Sequence, residues 1–263
     1  MRVGGYILST ALAAAAVLAG CGPRGTGPVD PALAGFIPGD ANVLAGVRLD
    51  QIRATPLGKQ LADAGLLEPP GVEAHDLIAC WDGKNWLVAA RGKLRAPSTP
   101  GLASVGDVVL AGPPDSVRAA IARHAAKRRP PRELIDRART LPAGSQIWAV
   151  TYGAPALPPA GERLSSTQRL INAMEDITAS ANLRSGIQAA ATGNCLDERN
   201  ARVVEETVRA MIGLGGQMLA RGDQDLLRAY EGIRVERQGR AVRLEAAVPG
   251  DAAQKMLSSL IRR

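Results

Sequence analysis

HDLIACWDGKNWLVAARG, residues 75–92, is the stretch on which the fold turns. Two apolar runs, 77–80 and 86–90, flank Asp82-Gly83-Lys84-Asn85. Asp-Gly between such runs is a strong short-range hairpin signal, because the central turn positions tolerate positive φ. The two strands are therefore antiparallel and joined locally, without a crossover helix. Helical patterns lie on both sides of the hairpin, so the chain reads as α+β, an antiparallel sheet with helices packed on one face.

Upstream, a strand over 42–48 leads through Asp50 into a helix over 50–64 that Pro56 interrupts and Gly65 ends. Downstream, a strand over 106–111 and a helix over 115–127 close a first module. The same signals then recur in the same order. IPGDANVLAGV (37–47) matches LPAGSQIWAV (141–150), each with a Pro five residues before an apolar run. VVLAGPPDSVRAAI (108–121) matches LEAAVPGDAAQKML (244–257), each a strand, then Pro-x-Asp, then a helix. Asp115 and Asp251 are the expected N-caps. Four corresponding signals indicate an internal duplication into two similar modules.

The second module spans 141–263 and repeats the plan with an insertion. Strands are expected over 146–152, 176–183 and 186–193, the last two joined at Arg184-Ser185, with a helix over 165–173. A long helical segment over 197–230, broken at Gly215-Gly216, is the insertion. Strands over 232–237 and 241–247, turning at Gln238-Gly239, lead to a last helix over 250–262. The first module occupies 36–128, and 129–140, stopped by Pro130-Pro131, is the linker.

The first twenty residues carry a different message. Arg2 precedes an uncharged apolar run from Tyr6 to Val17. As a helix that run spans roughly 18 Å, short of the roughly 30 Å hydrocarbon core, so it suits a signal peptide over 1–20 rather than a permanent span. Leu18-Ala19-Gly20-Cys21 ends it and resembles the lipobox of bacterial lipoproteins. That resemblance implies cleavage before Cys21, a diacylglycerol thioether on its sulfur and acylation of the new N-terminus. A thiolate is the nucleophile that can take a lipid in this way. One acyl chain binds a membrane marginally, at about 0.8 kcal/mol per buried methylene, whereas two or three hold it firmly. Residues 22–35, with three prolines and four glycines, read as a flexible tether. Gly22 follows the lipobox; in Gram-negative lipoproteins a residue other than Asp there implies outer-membrane sorting. The expected location is thus the cell envelope, lipid-anchored, on a periplasmic or surface face.

Overall, a lipobox ahead of two Pro-led modules resembles envelope lipoproteins of environmental bacteria with a duplicated α+β region. The resemblance implies no site residue except Cys21.

Composition narrows the function classes. Without the signal the chain has 31 basic and 25 acidic side chains, a net charge of about +6, and in all it has three Trp, three Tyr and one Phe. Single-strand nucleic acid binding needs aromatic platforms beside a basic groove. Nucleic acid is therefore excluded as a partner. In an oxidising compartment Cys80 and Cys195 can pair or remain buried thiols; their separation and the lack of a disulfide framework favour thiols.

No catalytic, cofactor-binding or metal-binding constellation emerges. His75 and Cys80 are neighbours, but an odd separation on a strand sends their side chains to opposite faces. A zinc site from His75, Cys80, His124 and Cys195 lacks local ligand spacing. Gly213-Leu214-Gly215-Gly216 follows a helix rather than a strand, so it reads as a helix break and not a phosphate loop. The carboxylate pairs Glu175-Asp176, Glu205-Glu206 and Asp223-Asp225 fall where a solvated face is expected.

Two features carry functional expectations. A basic run includes Arg118, Arg123, Lys127, Arg128, Arg129, Arg132, Arg137 and Arg139. Of these, Arg128, Arg129 and Arg132 are candidates for contact with an anionic surface. Val204, Val208, Met211 and Met218 form a stripe expected to pack on the sheet, with a groove for an apolar ligand or partner helix as the alternative. The chain thus reads as a membrane-anchored, non-enzymatic binding or structural protein. The alternative is an envelope-polymer hydrolase with a site assembled from scattered residues.

Overall fold

The computed structural model describes residues 28–67, 73–94, 99–153, 170–219 and 224–261. Cys21, the signal segment and tether residues 22–27 lie outside these residues. The rest of the expected tether, 28–35, is folded instead: Asp30 caps a short helix over Pro31–Ala34, and Val29 and Leu33 are buried in the largest core, because their apolar side chains leave water there. Strand β1 (Val43–Arg48) is followed by β2 (Glu73–Trp81) and β3 (Trp86–Lys93). The last two form the expected hairpin, in register from Trp81↔Trp86. Its turn is held by the Asp82 carboxylate, which accepts from the Lys84 and Asn85 amides at 2.8 and 2.7 Å, with Gly83 at φ 97°.

The remaining strands are β4 (Leu102–Val105), β5 (Val108–Ala111), β6 (Ile147–Thr151), β7 (Met174–Asn182), β8 (Gly186–Cys195), β9 (Arg234–Gln238) and β10 (Ala241–Pro249). All ten join one antiparallel sheet in the order β4-β5-β3-β2-β1-β6-β7-β8-β10-β9. Outward from the central β1–β6 pair, each half repeats the order first, second, third, fifth, fourth strand. The two similar modules therefore share a sheet, fused along their first strands from Val43↔Thr151 to Val47↔Ile147.

Gly46 makes that fusion possible. It sits opposite Trp148, and a Cβ on it would lie 2.3 Å from the indole ring. With hydrogen there instead, the indole lies over the strand at 2% exposure.

Strand pairing assigns side chains to faces, since partners directly opposite point the same way and neighbours along a strand alternate. In the first half Leu44, Ile78, Cys80, Leu87, Leu110 and Val150 share one face. They are covered by α1 (Pro31–Ala34), α4 (Pro114–Ala125) and α5 (Arg132–Thr140), and the whole forms the largest core. In the second half the opposite face is covered. Val242, Leu244 and Cys195 pack under α6 (Glu198–Leu219), and Ile187 and Val248 under α8 (Gly250–Ile261). Helices α2 (Leu49–Arg53) and α3 (Pro56–Asp63) join α8 there, and α7 (Gln224–Glu231) packs on α6. Each half thus carries its main helical layer on one face, as expected, but the halves use opposite faces.

Several local expectations are corrected. The linker 129–140 contains α5, whose Leu134 and Ala138, one turn apart, are fully buried. Pro131 precedes the helix, where a missing N–H is no loss. Asp115 does not cap α4: Pro113 is the N-cap residue, and Asp115 in the first turn pairs with Arg118. Pro56 divides the first helical run in two, and the Thr55 hydroxyl caps α3 by accepting from the Gly58 amide at 2.9 Å. The expected break at Gly215-Gly216 is absent, and α6 continues to Leu219. Tyr230 of α7 packs on both glycines, so the lost helix propensity, about 1 kcal/mol per Gly, is offset by close helix–helix approach.

Candidate functional site

The sequence DITASANL alternates, and so does its strand. Ile177, Ala179 and Ala181 point to one face, while Asp176, Thr178, Ser180 and Asn182 point to the other. On β8 the partners on that second face are Asn194, Thr192, Ala190 and Gln188. On β10 it carries Arg243 and Glu245, opposite Thr192 and Ala190. This is the face that α1, α4 and α5 cover in the first half. In the second half, among the described residues, the helices on β8 and β10 are α6, α7 and α8, packed on its reverse. A face left to water must be polar, and hydroxyls, amides and ion pairs supply this.

The edge of the first half's helical layer makes a wall beside this floor. Pro142 and Ser145, just after α5, stand on one side and Gly232 and Arg234 on the other, enclosing a cleft of about 630 Å³ over Ser180, Asn182, Gln188 and Glu245. A second hollow of about 450 Å³ continues it past Pro142 and Ser180 to Arg137, Thr178, Thr192 and Asn194.

Its carboxylates are already engaged. Asp176 is 5% exposed; one carboxylate oxygen accepts from Arg137 at 2.6 Å and the other from the Asn194 amide at 2.7 Å. Arg137 also lies over the Tyr152 ring, 5.5 Å from its centroid, and Tyr152 is half exposed. Glu245 pairs with Arg243 at 2.5 Å. Behind the wall, buried Gln146 ties three elements together, its side chain accepting from the Leu183 amide at 2.6 Å and donating to the Gln51 carbonyl at 3.1 Å. The cleft therefore offers fixed donors and acceptors, not an unpaired acid or base.

The residues singled out from sequence lie elsewhere. Cys80 and Cys195 are free thiols, buried on opposite faces of the sheet in separate cores. Burial pushes the Cys80 thiol up to about 12, and burial and then Asp197 raise Cys195. Neither is a nucleophile at neutral pH. His75 sits at a bulge in β2 and bonds the Asp50 carboxylate at 2.8 Å. Burial opposes the charge on Asp50, but His75 and then Arg53 hold its carboxyl below the ordinary range. His124 stacks on Phe36 with ring centroids 4.1 Å apart. Among the described residues no His, Cys, Asp and Glu group could hold a metal ion, and no helix is long and apolar enough to cross a membrane.

The helical stripe is shifted from its expected course. Ala201, Val204, Val208 and Ile212 face the core, whereas Met211 is 49% exposed; the side chain of Met218 lies outside the described residues. The basic run divides. Arg137 turns inward to Asp176, Arg132 and Arg139 both pair with Asp136, at 3.2 and 2.8 Å, and Arg118 pairs with Asp115. Lys127, Arg128 and Arg129 are exposed. The polar floor was missed because 176–193 reads as an ordinary hairpin. The available signal was that its outward positions are mostly polar, Asp176, Thr178, Ser180, Asn182, Gln188 and Thr192.

No family model and no curated protein matches the chain. Among solved structures, one described as "Structure of crystal form I of TP0453" aligns with 89% of this chain and 98% of that chain at 12% identity, with a TM-score of 0.42. An overlap of that size bears on neither the site nor its role.

Proposed function

We propose that this is a lipid-anchored cell-envelope protein that works by binding, and that the cleft over β7, β8 and β10 is where it binds. One observation carries the reading: the cleft sets hydroxyl, amide and charged groups among alanines, while both carboxylates that reach it are paired with arginine. A hydrolase acting through two carboxyls needs one free to protonate and one free to attack or activate water. Such a surface suits a ligand whose polar groups exchange hydrogen bonds with Ser180, Asn182 and Gln188 while its carbon skeleton rests on the alanines between them. That differs from the apolar ligand the helical stripe suggested. Anchoring rests on Cys21, whose setting after an apolar leader and before a proline- and glycine-rich tether supports lipidation.

The test compares wild type with Ala190→Trp, which fills the cleft floor without removing any of these groups. Each is recovered from its own membranes, and the N-terminal peptide is weighed by mass spectrometry. The expected result is a first residue at 21 bearing acyl mass in both, and a companion recovered with wild type but absent from Ala190→Trp. An unmodified thiol at Cys21 would refute the anchor. Release of new reducing ends from purified envelope polymer by wild type, and not by Ala190→Trp, would favour the hydrolase.

A further inference from the structure

We propose that Lys127, Arg128 and Arg129 seat the folded body on an anionic bilayer surface; this deepens the lipid-anchor reading and rests on it. The three residues follow Ala126, the C-cap of α4. Their backbone closes the helix, Lys127 donating to the His124 carbonyl at 3.0 Å and Arg128 to the Arg123 carbonyl at 3.1 Å, with Lys127 at φ 50°. The loop is therefore fixed, and all three side chains are exposed. Among the described residues none of the three is in an ion pair, unlike Arg118, Arg132, Arg137 and Arg139. Asp40, Asp82 and Asp115 share a hollow with Arg123 and Arg128; Asp115 is paired with Arg118, and against the other two acids Arg123, Lys127, Arg128 and Arg129 leave the end of α4 with a positive excess.

The second observation is where the described chain begins. Asp30 caps α1, accepting from the Ala32 amide at 2.8 Å, and bonds Arg91 on β3 at 2.6 Å. The turn after α1 lies against the same end of α4: Phe36 stacks on His124, three residues before Lys127. Only residues 22–29 separate Cys21 from this clamp. Nine peptide steps reach about 30 Å at full extension. A bilayer holding Cys21 is therefore within that distance of α1, and the unpaired cations stand on the neighbouring turn. Length and charge both select an anionic lipid surface as the occupant. Arg132, compensated by Asp136, is replaced in the triad by Lys127.

The experiment uses residues 21–263 with Cys21→Ser, so that no lipid contributes, and sedimentation with vesicles of phosphatidylcholine alone or with about one-third phosphatidylglycerol. Each Lys or Arg near such a surface contributes about a fivefold factor to partitioning at low salt. Binding to the anionic vesicles only is expected, falling by about a hundredfold in Lys127→Glu/Arg128→Glu/Arg129→Glu and by less than about twofold in Lys59→Glu/Arg199→Glu/Arg202→Glu. The second set makes the same charge change on α3 and α6, on the opposite face, and unchanged melting of both confirms folding. Absence of anionic preference, or equal loss in the two sets, would overturn the proposal. Failure of the anchor shows separately, as an unmodified Cys21 in the natural protein.

Discussion

Gly46→Val is expected to destabilise the protein by about 3 kcal/mol or more, lowering its melting temperature by roughly 6–12 °C. Gly46 lies at the seam where the two halves of the sheet meet, directly opposite Trp148. A Cβ there would stand 2.3 Å from the Trp148 ring, which is 2% exposed and closed in on the same face by Leu44, Val150 and Ile78. The indole cannot rotate into solvent, so either it or the strand pairing must yield. Trp148→Ala alone should be similarly severe, at about 3–5 kcal/mol, through the cavity it leaves. The double variant should cost less than the sum, because the valine partly fills that cavity. Thermal unfolding of the four proteins reads the outcome. Additive losses would mean that the two residues do not meet across the seam.

Arg137→Met is the other large change, expected to cost about 3–5 kcal/mol. Its partner Asp176 is almost wholly buried, and the methionine would leave that carboxylate with only the Asn194 amide. The value of the pair as a whole is small, since both charges leave water to form it; the loss comes from stranding one of them. Asp176→Asn in the Arg137→Met background should therefore restore much of the stability. If denaturant titrations show Arg137→Met alone to be within about 0.5 kcal/mol of wild type, the ion pair at the end of the cleft is a surface contact and not a buried one.

These two sites also show what sequence could and could not convey. Strand and hairpin existence was legible because Asp82-Gly83, Arg184-Ser185 and Gln238-Gly239 are local turn chemistry. The repeated strand order was legible for the same reason, its signals lying within short windows. That the copies would fuse into one sheet was not, because Gly46 and Trp148 are far apart in the chain and each alone reads as a routine strand residue. The helix in 129–140 was hidden by Pro130-Pro131 and a dense row of arginines, although Leu134 and Ala138 are a turn apart. Continuous α6 through two glycines depends on Tyr230 of another helix, a tertiary contact that propensity does not contain. The polar cleft was half legible: Asp176, Thr178, Ser180 and Asn182 alternate plainly, but which face stays uncovered is decided by helices from elsewhere. Arg137, read as one cation in a basic run, is a structural partner for the same reason.

Among the described residues, helices seal one face of the sheet's second half and leave the other open, and binding in the cleft depends on this. Single cysteines read this directly, because Cys80 and Cys195 are buried and should remain unlabelled in the folded Cys21→Ser chain. Gln188→Cys and Arg243→Cys, on the open face, are predicted to react with a small maleimide at close to the rate of an exposed thiol. Val242→Cys, adjacent to Arg243 but pointing under α6, is predicted to react only after unfolding. Protection of Gln188→Cys and Arg243→Cys in the folded protein, or rapid labelling of Val242→Cys, would contradict this arrangement.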